Sequence, residues 1–463
     1  MKLWKKIILM LGSIILVSVI AVGGYTMTVL NSTTSALKTT FTNAGNKETK
    51  QVIQQTKPLT ILLMGVDTGG ADRGTADSWN GNSDSQILMT LNPETKTTTM
   101  VSLERDTMTN ILDSDGNVVS TEKMNAAYPL GYNSGKSADG LENAVSYAMK
   151  TIEGQTGIKI DSFVTVNFDG LVNMVNNVGG IDINNTTGQT LYISDTEPSY
   201  TAKVPPGKQH INGDQALVYT RDRHHLPNGD YGRAAHQREV IAALMKKILA
   251  LDNITRYNKF LTEASKDFRT NIPISTSTIT SFLGYKDCFD KVVSIQYQGV
   301  GDMVNGVSYQ FMPEKLYLAM QNAMRKSLGE DTITTLPESL ITYETQFGSY
   351  STPFYYMPSA TVTTKGKSTV YGIDTSGTLV TLDSTNSNKY VSTSGGSVSD
   401  ADSAADTTQD SSNSTASDSS DATSTYSNSN ESSYGGTDST YSDSNSTYNA
   451  PSTDSNTYGY TGQ

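Results

Sequence analysis

Lys2, Lys5 and Lys6 precede an uncharged run from Ile7 to about Asn31, whose apolar heart is Ile7–Val22. Roughly 20 apolar residues span a bilayer, and basic residues ahead of such a span keep that end in the cytoplasm. The pattern predicts a cytoplasmic N-terminus over 1–6 and one transmembrane helix over 7–29, a single-pass anchor in the cell membrane. Everything beyond it is then extracellular. A cleaved signal peptide is the competing reading, since Ala21 and Gly23 are small enough for processing, but the length of the run favours the anchor. Residues 30–57, rich in Thr, Asn, Lys and Gln without apolar period, read as an extracellular spacer.

Leu59–Gly65 is a short continuous apolar run, as expected of a strand buried on both faces. Gln86–Leu91 and Thr97–Leu103 predict two more strands, joined through the Asn92-Pro93-Glu94 turn. Helical spacing over Leu141–Ile152 is followed by a strand over Phe163–Phe168 and a helix over Leu171–Val178 that stops at Gly179-Gly180. Ile181–Ile183 predicts another short strand. Asp214–Tyr219 reads as a short helix, and a long helix runs from about Gly232 to Leu251 with Ile241, Leu244 and Ile248 on one stripe. Further helices are expected over 253–267, 275–284 and 313–328, and a small β-rich piece over 350–390. Strands alternating with helices predict an α/β fold, a mixed central β-sheet flanked by helices.

From about 391 the chain is Ser, Thr, Asn, Asp and Gly, punctuated by Tyr426, Tyr434, Tyr441, Tyr448, Tyr458 and Tyr460. It offers too little apolar surface to offset ordering entropy, so 391–463 is expected to be a disordered tail. A solvated brush is the favoured reading, and the spaced tyrosines also suit contact with wall sugars. Ten acids and no base follow Lys389, so the net charge of −12 falls to −2 for residues 1–389. An exported, near-neutral domain has no basic face for nucleic acid, which argues against a transcriptional regulator. Cys288 is the one cysteine, so no intrachain disulfide forms and a hydrophobic core must hold the exported part.

Nine arginines serve the chain, and four of them fall between Arg221 and Arg238. Guanidinium grips phosphate or carboxylate oxygens bidentately, so this run points to a fixed anionic ligand, phosphate first. Asp67 ends the first buried strand, and Asp84 precedes the next. The C-terminal edge of an open α/β sheet is where ligands usually bind. Two aspartates there can share one Mg2+, or merely cap their loops, and the residues alone weigh these readings equally. Arg105-Asp106 follows the strand ending at Leu103 and forms either a structural ion pair or part of the same mouth. Arg233 and Gln237 are four apart on a helix face that continues into Ile241. A polar head over an apolar floor suits a lipid phosphate. Arg238 is expected to solvate the outer face of that helix. His224-His225 lie in a Pro-Gly loop and His236 in the helix, an arrangement that does not favour zinc. A Gly-rich phosphate loop and a Gly-x-Ser-x-Gly elbow are both missing from the sequence, which argues against a kinase or ATPase.

Leu62-Leu-Met-Gly-Val-Asp67, Ser83-Asp84, Val101-Ser-Leu-Glu-Arg-Asp-Thr107, Lys123-Met-Asn-Ala-Ala-Tyr128 and Val178-Gly-Gly-Ile-Asp-Ile183 stand in an order that resembles LytR-CpsA-Psr proteins. Ile211-Asn-Gly-Asp-Gln-Ala-Leu-Val-Tyr-Thr-Arg-Asp-Arg223 and Gly229-Asp-Tyr-Gly-Arg-Ala-Ala-His-Gln-Arg238 continue it. The resemblance covers roughly residues 58–250, which become the expected catalytic domain, with 251–390 as a helical and β extension. It implies a phosphotransferase of the Gram-positive wall. Such an enzyme takes an anionic glycopolymer, teichoic acid or capsular polysaccharide, from undecaprenyl pyrophosphate. It attaches the polymer to a peptidoglycan hydroxyl, the C6 hydroxyl of N-acetylmuramic acid. Carried over, Asp67 and Asp84 would hold Mg2+, with Mn2+ as a substitute. Arg105, Arg221, Arg223, Arg233 and Gln237 would bind the pyrophosphate, and Arg105, Asp106, Arg221 and Arg233 would carry the chemistry. The family often has Arg where this chain has Asn82, which Arg73 could offset, and Pro where it has Glu104. The rival readings are a lipid pyrophosphate hydrolase using the same site, and a surface adhesin or biofilm protein without catalysis. The latter needs no convergent arginines.

Overall fold

The computed structural model describes residues 42, 56–66, 79–135, 140–194, 200–226, 229–251, 254–272 and 281–392. The expected anchor, most of the spacer, Asp67, Arg73, most of the 275–284 helix and nearly all of the tail lie outside these residues. Fifteen strands are described: β1 (Leu59–Val66), β2 (Ser83–Asn92), β3 (Thr97–Leu103), β4 (Met108–Leu112), β5 (Val118–Lys123), β6 (Ser162–Val166), β7 (Ile181–Asn185), β8 (Gly207–Ile211), β9 (Phe268–Thr270), β10 (Lys291–Gln296), β11 (Val300–Val304), β12 (Val307–Phe311), β13 (Ser359–Thr364), β14 (Lys367–Ile373) and β15 (Leu379–Thr381). The helices are α1 (Ala127–Tyr132), α2 (Gly140–Thr156), α3 (Phe168–Asn177), α4 (Gly213–Arg221), α5 (Gly229–Leu249), α6 (Ile254–Ala264), α7 (Glu314–Leu328) and α8 (Tyr343–Phe347). Among the described residues no helix is long and apolar enough to cross a membrane.

β1 explains why its sequence lacks polar alternation. Leu62 and Met64 enter one core and Ile61 another, on the opposite face of the sheet. Nine strands form that sheet in the order β15-β14-β13-β10-β3-β2-β1-β6-β9. β1 pairs antiparallel with β2 and β2 with β3, while β6 runs parallel to β1 and β10 parallel to β3. Five strands (β1, β3, β6, β10 and, through β13, β14) therefore share one direction, as a mixed sheet requires, and the ends of β1, β3, β6 and β10 lie side by side at one edge. The 350–390 stretch is not a separate β piece. β13 pairs with β10, so this stretch extends the central sheet.

α2 and α7 cover one face, over Leu62, Leu88, Val101, Phe163 and Ile295. α5 covers the other beside Tyr285 and Phe289, over Ile61, Ile87, Met89 and Met100. α3, α4, α6 and the β7–β8 hairpin build a further core around α5, with Val175, Ile181, Val218, Val240 and Phe260 inside it.

Two of the boundaries that differ from the sequence expectation bear on the site. Phe168 belongs to a helix rather than a strand, because Asn167 caps α3 with its side chain accepting from the Gly170 N–H at 2.7 Å. α5 starts at Gly229 rather than near Gly232. α3 ends as expected, at Gly179 and Gly180, whose φ angles of 80° and 87° favour glycine. The hairpins β4–β5 and β11–β12 were not expected at all.

Candidate functional site

The shared strand edge gathers most of the expected site residues. Arg105 follows β3 in a tight turn closed by the Thr107 N–H on the Glu104 carbonyl. Its Nη1 lies 3.5 Å from Asp84 Oδ1 and its Nε 3.4 Å from Asp106 Oδ2. Burial works to lower the Arg105 pKa, but Asp84, Asp106 and Asp230 hold it above its ordinary value. Asp106 also takes Lys123 Nζ at 3.0 Å, which leaves it an orienting partner of Arg105. Arg233 pairs with Asp230 at 3.2 Å. Its pKa is lowered by burial and by Arg105 and Arg223, against the pull of Asp230 and Asp84. Arg233 thus faces two other guanidinium groups across one mouth, and a bound anion would relieve that repulsion.

Asp84 Oδ1 also accepts from Asn125 Nδ2 at 3.2 Å. Asp67 directly follows Val66, whose strand partner is Ser83, but its own placement lies outside the described residues. Among the described residues no three acids, histidines or cysteines form a metal cluster. Mg2+ asks for less, one or two carboxylates beside phosphate oxygens and water. Asp84 fits that need, being a third exposed, with its bonds among the described residues falling on Oδ1.

Gln237 and Arg221 stand at the entrance to an apolar cavity. Gln237 Nε2 donates to the Thr220 carbonyl at 3.2 Å, and its Oε1 accepts from Ser85 Oγ at 2.9 Å. Arg221 Nη1 donates to Tyr200 Oη at 3.0 Å, and its guanidinium lies 4.3 Å from the Phe168 ring centre. Behind them α5 stands off the sheet and leaves about 270 Å³. The sheet wall is Ile61, Leu63, Ile87 and Val164, and the helix wall is Ile241, Leu244 and Ile248, the stripe expected from the sequence. Tyr257, Phe260 and Leu261 of α6 also line it. Polar lining residues gather at the strand-end mouth, apart from Tyr257 of α6 and Thr270, whose hydroxyl donates to the Phe163 carbonyl.

Buried polar groups brace this edge from below. Arg238 is not on the outer face of α5. It is 2 % exposed and bonds Ser294 Oγ at 2.7 Å, Ser102 Oγ at 2.7 Å and Gln296 Oε1 at 2.6 Å. Burial pushes its pKa down to about 10. Glu104, the residue in place of the family's usual proline, accepts the Gly299 N–H at 3.0 Å and donates its own N–H to Tyr297 Oη at 2.9 Å. Burial raises its carboxyl to about 7. His236 stacks on Tyr219 with ring centres 3.9 Å apart, and burial lowers it to about 4, so it is a core residue. His225 is bound to Asp222 at 2.8 Å.

The mouth thus unites Arg105, Asp106, Asp84, Arg223 and Arg233, while Arg221 and Gln237 mark the cavity entrance. Sequence reasoning missed Asp230, Ser85, Phe168 and Tyr200. Asp230 had a legible signal, an acid three residues before Arg233 on one helix. The stacking of Phe168 and Tyr200 on Arg221 is long-range and had none.

Comparison with known proteins extends the picture. The model of the LytR_cpsA_psr family matches residues 25–326. Biofilm regulatory protein A of Streptococcus mutans is 42 % identical over 352 residues, 75 % of this chain and 83 % of that protein. A protein of Enterococcus faecalis is 34 % identical, covering 70 % of this chain and 98 % of its own length. It is named polyisoprenyl-teichoic acid–peptidoglycan teichoic acid transferase TagU. A crystal structure of a Streptococcus agalactiae protein superposes with a TM-score of 0.57 at 42 % identity, covering 65 % of this chain and 98 % of that one.

Proposed function

Because the chain belongs to the LytR-CpsA-Psr family, we propose that it is a membrane-anchored extracellular phosphotransferase. It moves an anionic glycopolymer, a teichoic acid or capsular polysaccharide, from undecaprenyl pyrophosphate to a hydroxyl of peptidoglycan. The observation that carries the reading is the arginine-lined mouth set directly over an apolar cavity. A soluble phosphate ligand would have no use for the cavity, and a plain lipid would have none for the arginines. The name of the Enterococcus faecalis relative supports the same chemistry. The Lys2–Lys6 cluster and apolar run support the anchor, with the N-terminus in the cytoplasm.

In this reading the prenyl chain enters the cavity between α5 and the sheet, and the pyrophosphate rests at the strand edge. Arg221 and Gln237 hold the lipid-side phosphate, because they stand where polar lining gives way to apolar. Arg105, Arg223 and Arg233 grip the sugar-side phosphate. The acceptor hydroxyl oxygen forms a new bond to that phosphorus, the bridging P–O bond breaks, and undecaprenyl phosphate leaves, carrying the proton the hydroxyl gives up. Phosphoryl transfer needs mainly positioning and charge neutralisation, and converging guanidinium groups supply both. Asp106 and Lys123 fix the Arg105 fork so that it does not have to reorganise during the step. Asp84, with Asp67, would hold Mg2+, whose chemistry is to neutralise phosphate charge.

The test incubates the full chain in detergent with lipid-linked polymer, peptidoglycan and Mg2+. Polymer covalently joined to peptidoglycan is the expected product. Free phosphate-ended polymer would mean a hydrolase, and binding without either product would mean an adhesin.

A further inference from the structure

An uncharged, aromatic ledge lies outside the transfer site. From Thr345 to Thr364 twenty consecutive residues carry no charge, in a chain where charged residues are 17 % of the total. Within this stretch Tyr350 is 94 % exposed and Phe354 76 % exposed. Alternation decides which rings face out. Tyr355 and Met357 turn inward against the main core, while Phe354 and Tyr356 share the outer side, edge to face with ring centres 5.1 Å apart. Backbone bonds hold the ledge in place. The Met357 N–H donates to the Lys389 carbonyl at 2.8 Å and the Val391 N–H to the Met357 carbonyl at 2.9 Å. Gly348, at φ 86°, makes the turn that brings in Tyr350.

We infer that this ledge is a docking surface for the neutral glycan strands of peptidoglycan. The inference deepens the proposed function by giving its acceptor a place to bind. A pyranose presents an apolar C–H face that lies flat on an exposed ring, while its hydroxyls reach polar groups at the ring edge. The ledge supplies both, with Ser349 and Ser351 on either side of Tyr350 in the chain. The absence of charge within the stretch, with the Glu344 and Glu314 carboxylates beside Tyr355, selects against the competing occupants. An anionic polymer would call for Lys or Arg, and a membrane interface would call for basic residues beside the aromatics. A further observation favours the wall. The ledge connects to the transfer site through a short relay. The Gln310 N–H donates to the Asp106 carbonyl at 2.9 Å, and Phe311 packs on Phe347 with ring centres 5.0 Å apart, three residues before Tyr350.

The test sediments the full chain, held in nanodiscs, with peptidoglycan sacculi stripped of attached polymer and without any lipid-linked donor. Tyr350→Ala with Phe354→Ala should weaken sacculus binding about tenfold, with the melting temperature unchanged because both rings are exposed. Tyr350→Trp with Phe354→Trp should restore it. Unchanged binding by the alanine variant overturns the inference. So does binding that disappears on deletion of 393–463 with the ledge intact, because the tail would then be the wall-binding segment. Since no donor is present, failure of the transfer reading leaves this readout untouched. Conversely, the alanine variant should still bind lipid-linked donor with the parent affinity.

Discussion

Replacing Arg238 with methionine tests whether a buried cation braces the site or burdens it. The guanidinium makes three bonds, all to neutral side chains: Ser102, Ser294 and Gln296. Bonds from a charged donor are each worth about 1.5–3 kcal/mol, so losing three costs roughly 5–9 kcal/mol. Against this stands the penalty of burying the charge. The fall from 12.5 to about 10 corresponds to roughly 3 kcal/mol at about 1.4 kcal/mol per unit. The bonds win, and the net loss expected for Arg238→Met is on the order of 4 kcal/mol. Methionine fills much of the vacated volume, so the cavity contribution stays small. At about 2 °C per kcal/mol for a domain of this size, the melting temperature should fall by roughly 8 °C. Near-ultraviolet circular dichroism of the full chain in detergent would follow the transition. A variant as stable as the parent would refute the reasoning, because buried ion sites are sometimes replaced by apolar residues at no cost.

Arg233→Ala and Arg221→Ala should each cut transfer to peptidoglycan at least about a hundredfold with little change in melting temperature, measured with radiolabelled polymer; normal wall labelling would remove these residues from the mechanism. Ile241→Trp should fill the apolar cavity and raise the KM for lipid-linked donor more than tenfold, and an unchanged KM would place the lipid elsewhere. Glu104→Gln should alter the pH dependence of stability. The folded carboxyl keeps its proton up to about 7 and the unfolded one only to about 4.5, so the parent loses stability as pH rises through that interval. Relative to the parent, the variant should gain progressively from pH 4.5 to 7, by up to roughly 3 kcal/mol. Equal melting curves across that range would mean that Glu104 is not buried as described. His236 acts with the opposite sign. Its folded value of about 4 lies below its usual 6.5, so its contribution is lost as pH falls through that window. In the parent the two slopes oppose each other between pH 4.5 and 6.5, and Glu104→Gln exposes the histidine's slope.

The central strands were legible because each is buried on both faces, so that apolar runs such as Leu59–Gly65 and Gln86–Leu91 stand out from their surroundings. β5 was not legible. Its Val-Val-Ser-Thr-Glu-Lys is mostly exposed and pairs only with β4, so no core writes a pattern into it. The 350–390 stretch gave its strands but not their place, since joining β13 to β10 is a long-range pairing that local pattern does not encode. In the site, Arg105 and Asp84 were legible together because both sit at ends of recognisable neighbouring strands. Phe168 and Tyr200 against Arg221 were not, because the contact joins segments whose approach depends on the whole core.

Arg238 differs from these cases, because its burial was written in the sequence and went unread. The stripe Ile241, Leu244 and Ile248 fixes which side of α5 faces the cavity, and Gln237 lies on its extension. One residue further along, a turn of about 100° takes Arg238 off that stripe. The remaining positions then matter. Arg238, Ala242, Met245 and Leu249 fall at i, i+4, i+7 and i+11, a second helical row, and its last three members pack with Met100 and Phe289. A third row, His236, Val240 and Ala243, faces the core built by α3, α4 and α6. A helix covered on three sides has little outer face left for an arginine to solvate. An arginine at the head of an apolar row must then find neutral acceptors inside, and β3 and β10 supply them through Ser102, Ser294 and Gln296. The same geometry explains why the arginine stretch has two uses. Its members at the loop and the first turns of α5 meet the strand edge, where an anion can bind, and its last member meets the sheet itself.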